Sequence, residues 1–264
     1  MIRMLSPRQA VLLTAIASTS IALHGASLEP IRENCTISAG TKAGTLRLHT
    51  DDGDCPGRHN CGNNMSDVSV SRFSGVSLAD LANQGAHLSA TLAADSGTFI
   101  CTGTVTGGEL SGNAVFTPDA AFVERMEKMG FTGYDSQKLL AYAYLDVRGD
   151  WAQSLKQIGI GGLNSDNLIA LRVFNIDSAY VHSLTALGYP MPTADQLTAL
   201  GSQGVNAQEV SEIRALGYQP TFDQLVQIRI FKITPDFIHR MQARGLKDLT
   251  LDKLVQIRIF NLAD

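Results

Sequence analysis

No two lysines or arginines stand side by side anywhere in the 264 positions, and the formal charge is only −4. Nucleic acid and an anionic membrane surface both demand clustered positive charge, so neither is expected as a partner. Histidine is sparse: His24, His49, His59, His87, His182 and His239 are scattered, and none is followed by Glu. The HExxH zinc helix is thereby excluded. There is no GxSxG nucleophile turn and no GxxxxGK[ST] phosphate loop. Gly159-Ile160-Gly161-Gly162 fails as a dinucleotide fingerprint, because it follows a helix and lacks the third glycine. No residue is assigned a catalytic, cofactor-binding or metal-binding role, and the expectation is of a protein that is not an enzyme. Cysteine occurs four times, at Cys35, Cys55, Cys61 and Cys101, and not at all in the second half.

The longest apolar run is also short. Arg3 and Arg8 precede Ala10 to Leu23, about 14 residues where a membrane span needs roughly 20. Small residues follow at Ala22, Gly25 and Ala26, so residues 1–26 read as a secretory signal peptide, with an uncut N-terminal anchor as the alternative. Export to a bacterial periplasm or cell envelope is expected, with no stable membrane span after cleavage. An even number of cysteines in an exported segment reads as a disulfide framework with three possible connectivities. Cys55 with Cys61 would close a Gly/Pro loop, and Cys35 with Cys101 would tie the segment's start to a later strand.

Residues 27–116 are rich in Thr, Ser, Gly and Val. Period-two alternation, with one apolar face, appears at Thr45 to Thr50 and at Val68 and Val70. Three further runs, Ala86–Ala93, Thr98–Val105 and Leu110–Phe116, are joined by Asp95-Ser96-Gly97 and Gly107-Gly108 and predict an antiparallel meander. Ser77 to Gln84 reads as one or two helical turns, capped by Ser77 with Asp80 three residues on. The loop Asp51 to Asn64 invites a metal reading, but its cysteines lack paired CxxC spacing and its carboxylates lack calcium-loop spacing. A disulfide-closed surface loop is the expectation, and a hydrolytic site would have to lie here.

What is abundant is repetition. LVQIRIF stands at Leu225–Phe231 and again at Leu254–Phe260; LIALRVF, LLAYAYL and LTALGSQ are looser copies from Leu168, Leu139 and Leu197. Gly130, Gly159, Gly188, Gly217 and Gly245 keep the same beat, with steps of 29, 29, 29 and 28. Residues 117–264 are therefore expected to form five helical hairpins of about 29 residues. The first helices are capped by Asp119, Asp177, Asn206 and Thr234, while Arg148 at that register leaves its helix to Asp150 or water. Apolar residues eight, four and one positions before the glycine, as in Phe122, Met126 and Met129, or Trp151, Leu155 and Ile158, share one face. The glycine then ends the helix in the left-handed conformation. The second helices are capped by Asp135, Asn164, Thr193, Thr221 and Thr250, end at Asp146, Asn175, Gly204 and Asn261, and are apolar nearly all round, as buried helices are. Lys232 breaks the series of residues tolerant of the left-handed region. The fold class is thus α+β, a small antiparallel β domain followed by a stack of hairpins in which neighbours bury one another.

The run from Val70 through SRFSGVSLADL, the pair ending GNAVFTPDAAFVERMEKMGF, and units such as ITPDFIHRMQARGLKDLTLDKLVQIRIF resemble exported repeat segments of bacterial proteins that are also appended to some BlaR-type membrane metallopeptidases. That resemblance covers residues from about Val68 onward and speaks of architecture; since the peptidases act through HExxH, it carries no catalytic residue onto this chain. It implies, as one alternative, a regulatory or sensing module beside a membrane peptidase. The leading expectation is a non-enzymatic exported binding or scaffold protein whose helical surface engages a protein or peptide, with a hydrolase as the third reading. Arg172, Arg229 and Arg258 share one register of the second helices and form a candidate basic ribbon for a carboxylate-bearing peptide; alternatively each pairs with Asp166, Asp223 or Asp252, or with the neighbouring unit. The last helix, with Ile259 and Leu262, is a candidate self-association face.

Overall fold

The computed structural model describes residues 28–51 and 62–260. The signal-like segment, Cys55, Cys61, most of the Asp51–Asn64 loop, Asn261 and Leu262 lie outside the described residues. Among the described residues the fold is α+β: a seven-stranded antiparallel sheet precedes ten α-helices. Strands β1 (Ile31–Ala39), β2 (Thr45–Asp51), β3 (Asn63–Ser69), β4 (Phe73–Ser74), β5 (His87–Ala94), β6 (Gly97–Thr106) and β7 (Glu109–Pro118) are ordered β3-β2-β1-β7-β6-β5-β4. The predicted meander is β5-β6-β7. Strand β1 was not foreseen, although Cys35 and Ile37 alternate inward along it. Val70, expected in a strand, opens a 3-10 turn over Val70–Arg72. Ser77 and Asp80 cap each other as expected, through the Ser77 backbone N–H and hydroxyl to Asp80 Oδ2 and the Asp80 N–H to Ser77 Oγ.

Strand order and chain connectivity together require that the sheet be rolled. Its two edge strands, β3 and β4, are joined by only Val70–Arg72. Six strand spacings would hold the edges of a flat sheet about 29 Å apart, whereas four residues reach at most about 14 Å. The disulfide agrees. Cys35 on β1 and Cys101 on β6 are bonded with Cα atoms 6.0 Å apart, although β7 runs between their strands and a flat sheet would separate them by about 10 Å. Both sulfurs lie in the interior with Ile37, Leu48, Leu92, Phe99 and Phe116. Such a buried disulfide belongs to oxidising compartments rather than the reducing cytosol.

The helices are α1 (Ala120–Lys128), α2 (Ser136–Leu145), α3 (Gly149–Gln157), α4 (Ser165–Val173), α5 (Ser178–Ala186), α6 (Ala194–Ser202), α7 (Ala207–Ala215), α8 (Phe222–Ile230), α9 (Pro235–Ala243) and α10 (Leu251–Ile259). Asp119, Asp177, Asn206 and Thr234 cap α1, α5, α7 and α9, and Asp135, Asn164, Thr193, Thr221 and Thr250 cap the even-numbered helices. Gly130, Gly159, Gly188, Gly217 and Gly245 all take left-handed φ values, as expected of residues closing a helix. Lys232 does not break the series of even-numbered helix ends: at φ 53° it joins Asp146 and Asn175 in the left-handed region. The neighbouring Ile233 N–H still closes onto the Ile228 carbonyl at 2.9 Å, and Ile233 is buried.

Even-numbered helices pack each on the next, α2 on α4, α4 on α6, α6 on α8 and α8 on α10, while α1 packs on α3 and α5 on α7. The leading leucine of each heptamer, Leu139, Leu168, Leu197, Leu225 and Leu254, is buried. Each such burial contributes about 2 kcal/mol before entropy is counted. One expectation is corrected here. The even-numbered helices are not buried all round: Val173, Ile230 and Ile259, at one shared register, are 49%, 51% and 53% exposed. Only α2 is enclosed on that side, because the sheet covers it. Tyr144 meets Phe99 edge-on at 5.6 Å, Arg72 donates to the Ala143 and Tyr144 carbonyls at 2.8 Å each, and Ser96 Oγ donates to the Leu139 carbonyl at 2.9 Å. Sheet and helices thus share one continuous core.

Candidate functional site

Each ladder arginine is tied into the helical array. Arg172 Nε donates to the Leu145 carbonyl at 3.0 Å and Arg229 Nε to the Gln203 carbonyl at 3.1 Å, while Arg258 Nη2 lies 3.3 Å from the Lys232 carbonyl. A cation at the carbonyl end of a helix satisfies acceptors that have no partner within the helix and opposes the negative end of its dipole. Every one therefore closes an even-numbered helix two places earlier in the chain. Their anionic partners are not Asp166, Asp223 or Asp252: Arg172 pairs with Asp146 at 3.2 Å and Arg229 with Glu209 at 2.5 Å. Asp166 instead meets Lys138 at 2.7 Å. In α6 the same register holds Gly201, where an added Cβ would lie 2.7 Å from Phe174 Cβ, so the arginines do not form an unbroken ribbon.

Two of these guanidinium groups also cover a ring eight positions before a helix-ending glycine. Arg172 lies 5.6 Å above the Trp151 ring and Arg258 3.9 Å above Phe237. Four of the five residues at this position are aromatic: Phe122, Trp151, Tyr180 and Phe237. Two of them bind the next loop. Trp151 Nε1 donates to the Ile176 carbonyl at 3.2 Å, and the Tyr180 hydroxyl donates to the Val205 carbonyl at 2.8 Å. Burial holds the Tyr180 phenol protonated, its pKa pushed up to about 12.

In α7 that position is Glu209. A carboxylate has no hydrogen to donate and fills less space than a ring, and a groove of about 470 Å³ lies beside it. Val205, Val210, Ile213, Leu225, Ile228 and Ile233 form its apolar walls, and Glu212, Arg229 and Lys232 line it as well. Glu209 Oε1 accepts from Arg229, while Oε2 is enclosed without a hydrogen-bond partner. Leaving such an oxygen unsatisfied costs on the order of 1–3 kcal/mol. An apolar concavity of this size with few polar groups has the form of a ligand site.

Glu209 was not singled out from the sequence. The signal was its break with the aromatic series at Phe122, Trp151, Tyr180 and Phe237. Of the remaining candidates, Cys35 and Cys101 are bonded to each other, Cys55 and Cys61 lie outside the described residues, and His182 and His239 are exposed on α5 and α9. Ile259 is exposed to nearly the same degree as Ile230; the residue that opens at the last described helix is Phe260, 67% exposed where Phe174 and Phe231 are half-buried. Among the described residues no helix is long and apolar enough to cross a membrane, and no group of three or more His, Cys, Asp or Glu side chains is gathered for a metal ion. Comparison of the chain with protein-family models, curated proteins and solved structures found no match.

Proposed function

We propose that this chain is a non-enzymatic, exported binding or scaffold protein of the bacterial envelope, in which five stacked hairpin units offer a surface to a protein or peptide and the rolled sheet covers the first unit. The observation that carries the reading is the set Val173, Ile230 and Ile259, aliphatic and about half exposed at one register of α4, α8 and α10, with the exposed Ser202 at that register of α6 between the first two. Apolar side chains recurring at one register on a surface favour a partner that removes them from water. The signal-like N-terminus and the buried Cys35–Cys101 bridge support export. Site-specific photo-cross-linkers at Val173, Ile230 and Ile259, installed in the protein as expressed in a bacterial envelope, test this. The expected result is one discrete adduct shared by the three positions and missing from His182 and His239, with its partner identified by mass spectrometry. An adduct at twice the chain mass would identify the partner as a second copy, for which Phe260 is the exposed candidate. Absence of any adduct from the set, or equal adducts from the two histidine positions, would refute the reading.

A further inference from the structure

We infer that the groove beside Glu209 receives a tyrosine or tryptophan side chain from a peptide partner, supplying from outside the ring that this chain supplies from within at neighbouring positions. The inference rests on the binding reading above and names the chemistry of the segment bound.

The internal comparison decides the occupant. At Trp151 and Tyr180 a ring fills the space between one odd-numbered helix and the next loop, and its N–H or O–H reaches the carbonyl of Ile176 or Val205. The corresponding loop residue after Glu209 is Ile233, which lines the groove. Glu209 cannot act as the donor, and it is drawn aside by its ion pair with Arg229. What remains is a space with apolar walls beside Ile233, whose carbonyl is the counterpart of the Ile176 and Val205 carbonyls and receives no donor from Glu209. An entering phenol or indole matches both features, because the ring meets Val205, Ile213 and Ile228 while its single donor meets an acceptor. A phenylalanine ring would meet only the first. An acidic side chain would face Glu209.

The test uses the full chain with three probes: the N-acetyl amides of tyrosine, tryptophan and phenylalanine, followed by methyl NMR. Shifts are expected at Val205, Ile213, Leu225 and Ile228, with the tyrosine and tryptophan probes binding about three- to tenfold tighter than the phenylalanine probe, the difference one hydrogen bond makes. No groove shifts, or equal binding of the phenylalanine probe, would overturn the inference. So would a long-chain fatty acid that shifts these methyls when the aromatic amides do not. Glu209→Tyr is expected to restore the internal ring, raise the melting temperature and abolish probe binding; undiminished probe binding in that folded variant would also overturn it. The wild-type titration decides the matter even where Glu209→Tyr fails to fold. Adducts at Val173, Ile230 and Ile259 with no probe binding would remove the groove alone, whereas groove binding without adducts would remove the wider reading of that set.

Discussion

At the scale of single residues, the informative positions are those where one side chain departs from its counterparts. Glu209 stands where four helices carry a ring, and the result is a groove rather than a filled seam. Lys232 stands where Asp146 and Asn175 serve, and the backbone keeps the left-handed turn anyway. The alternative would expose Ile233 and break its bond to the Ile228 carbonyl, a larger loss than the cost of about 1 kcal/mol that a β-carbon adds in that region. Lys232→Gly should therefore leave unfolding stability equal or raise it by up to about 0.5 kcal/mol, once the extra chain entropy of glycine is subtracted. Urea denaturation measures it. Arg258 reaches only the backbone carbonyl of Lys232, which glycine retains, so a loss of stability would contradict this account.

Between elements, polar groups at helix ends set the docking. Helix α3 begins at Arg148, whose side chain pairs with Asp150 and makes no capping bond to the helix. Its first N–H, that of Gly149, is met by Asp95 Oδ2 at 3.1 Å, from the turn between β5 and β6. A cap lent by the sheet fastens the helical half to it, as do the Arg72 bonds at the end of α2. Asp95→Ala should cost about 1 kcal/mol, the usual worth of an N-cap. Adding Arg148→Ser, which places a cap within the helix, should recover most of that loss. Chemical denaturation of the two variants separates a cap from a general effect of the turn, which the second substitution would leave uncorrected.

For the whole molecule, the shared core makes alkaline pH a global probe. All six tyrosines, Tyr134, Tyr142, Tyr144, Tyr180, Tyr189 and Tyr218, lie in the helical half, and burial raises the pKa of each. For Tyr134 and Tyr180 it is pushed up to about 12. The fold thus favours the protonated phenols relative to the unfolded chain, whose tyrosines ionise near pH ~10. This contribution is fully present below pH ~10 and is lost as pH rises through about 12. Phenolate absorbance should lag behind that of free tyrosine and then appear together with the loss of helical circular dichroism. Full ionisation near pH ~10 with the helical signal intact would show that the phenols are not held as described.

The order of amino acids by itself determined the local structure of this protein. Helix caps at Asp135, Thr193 or Thr250 and terminating glycines at Gly130 or Gly245 act within a turn or two of chain, so a reader of the sequence sees cause and effect together. The Cys35–Cys101 pairing was favoured from the inward position of Cys101 on its strand, while the strand that carries Cys35 was not seen in the sequence. Tertiary structure alone decided the rest, because the partners come from distant segments. The rolling of the sheet follows from which edges three residues must join; the arginines are occupied because helix ends two elements earlier lie beneath them; Val173, Ile230 and Ile259 stay in water because, among the described residues, no layer covers that side. The groove, too, became visible only when Trp151 and Tyr180 were seen reaching the next loop while Glu209, at the same register, could not.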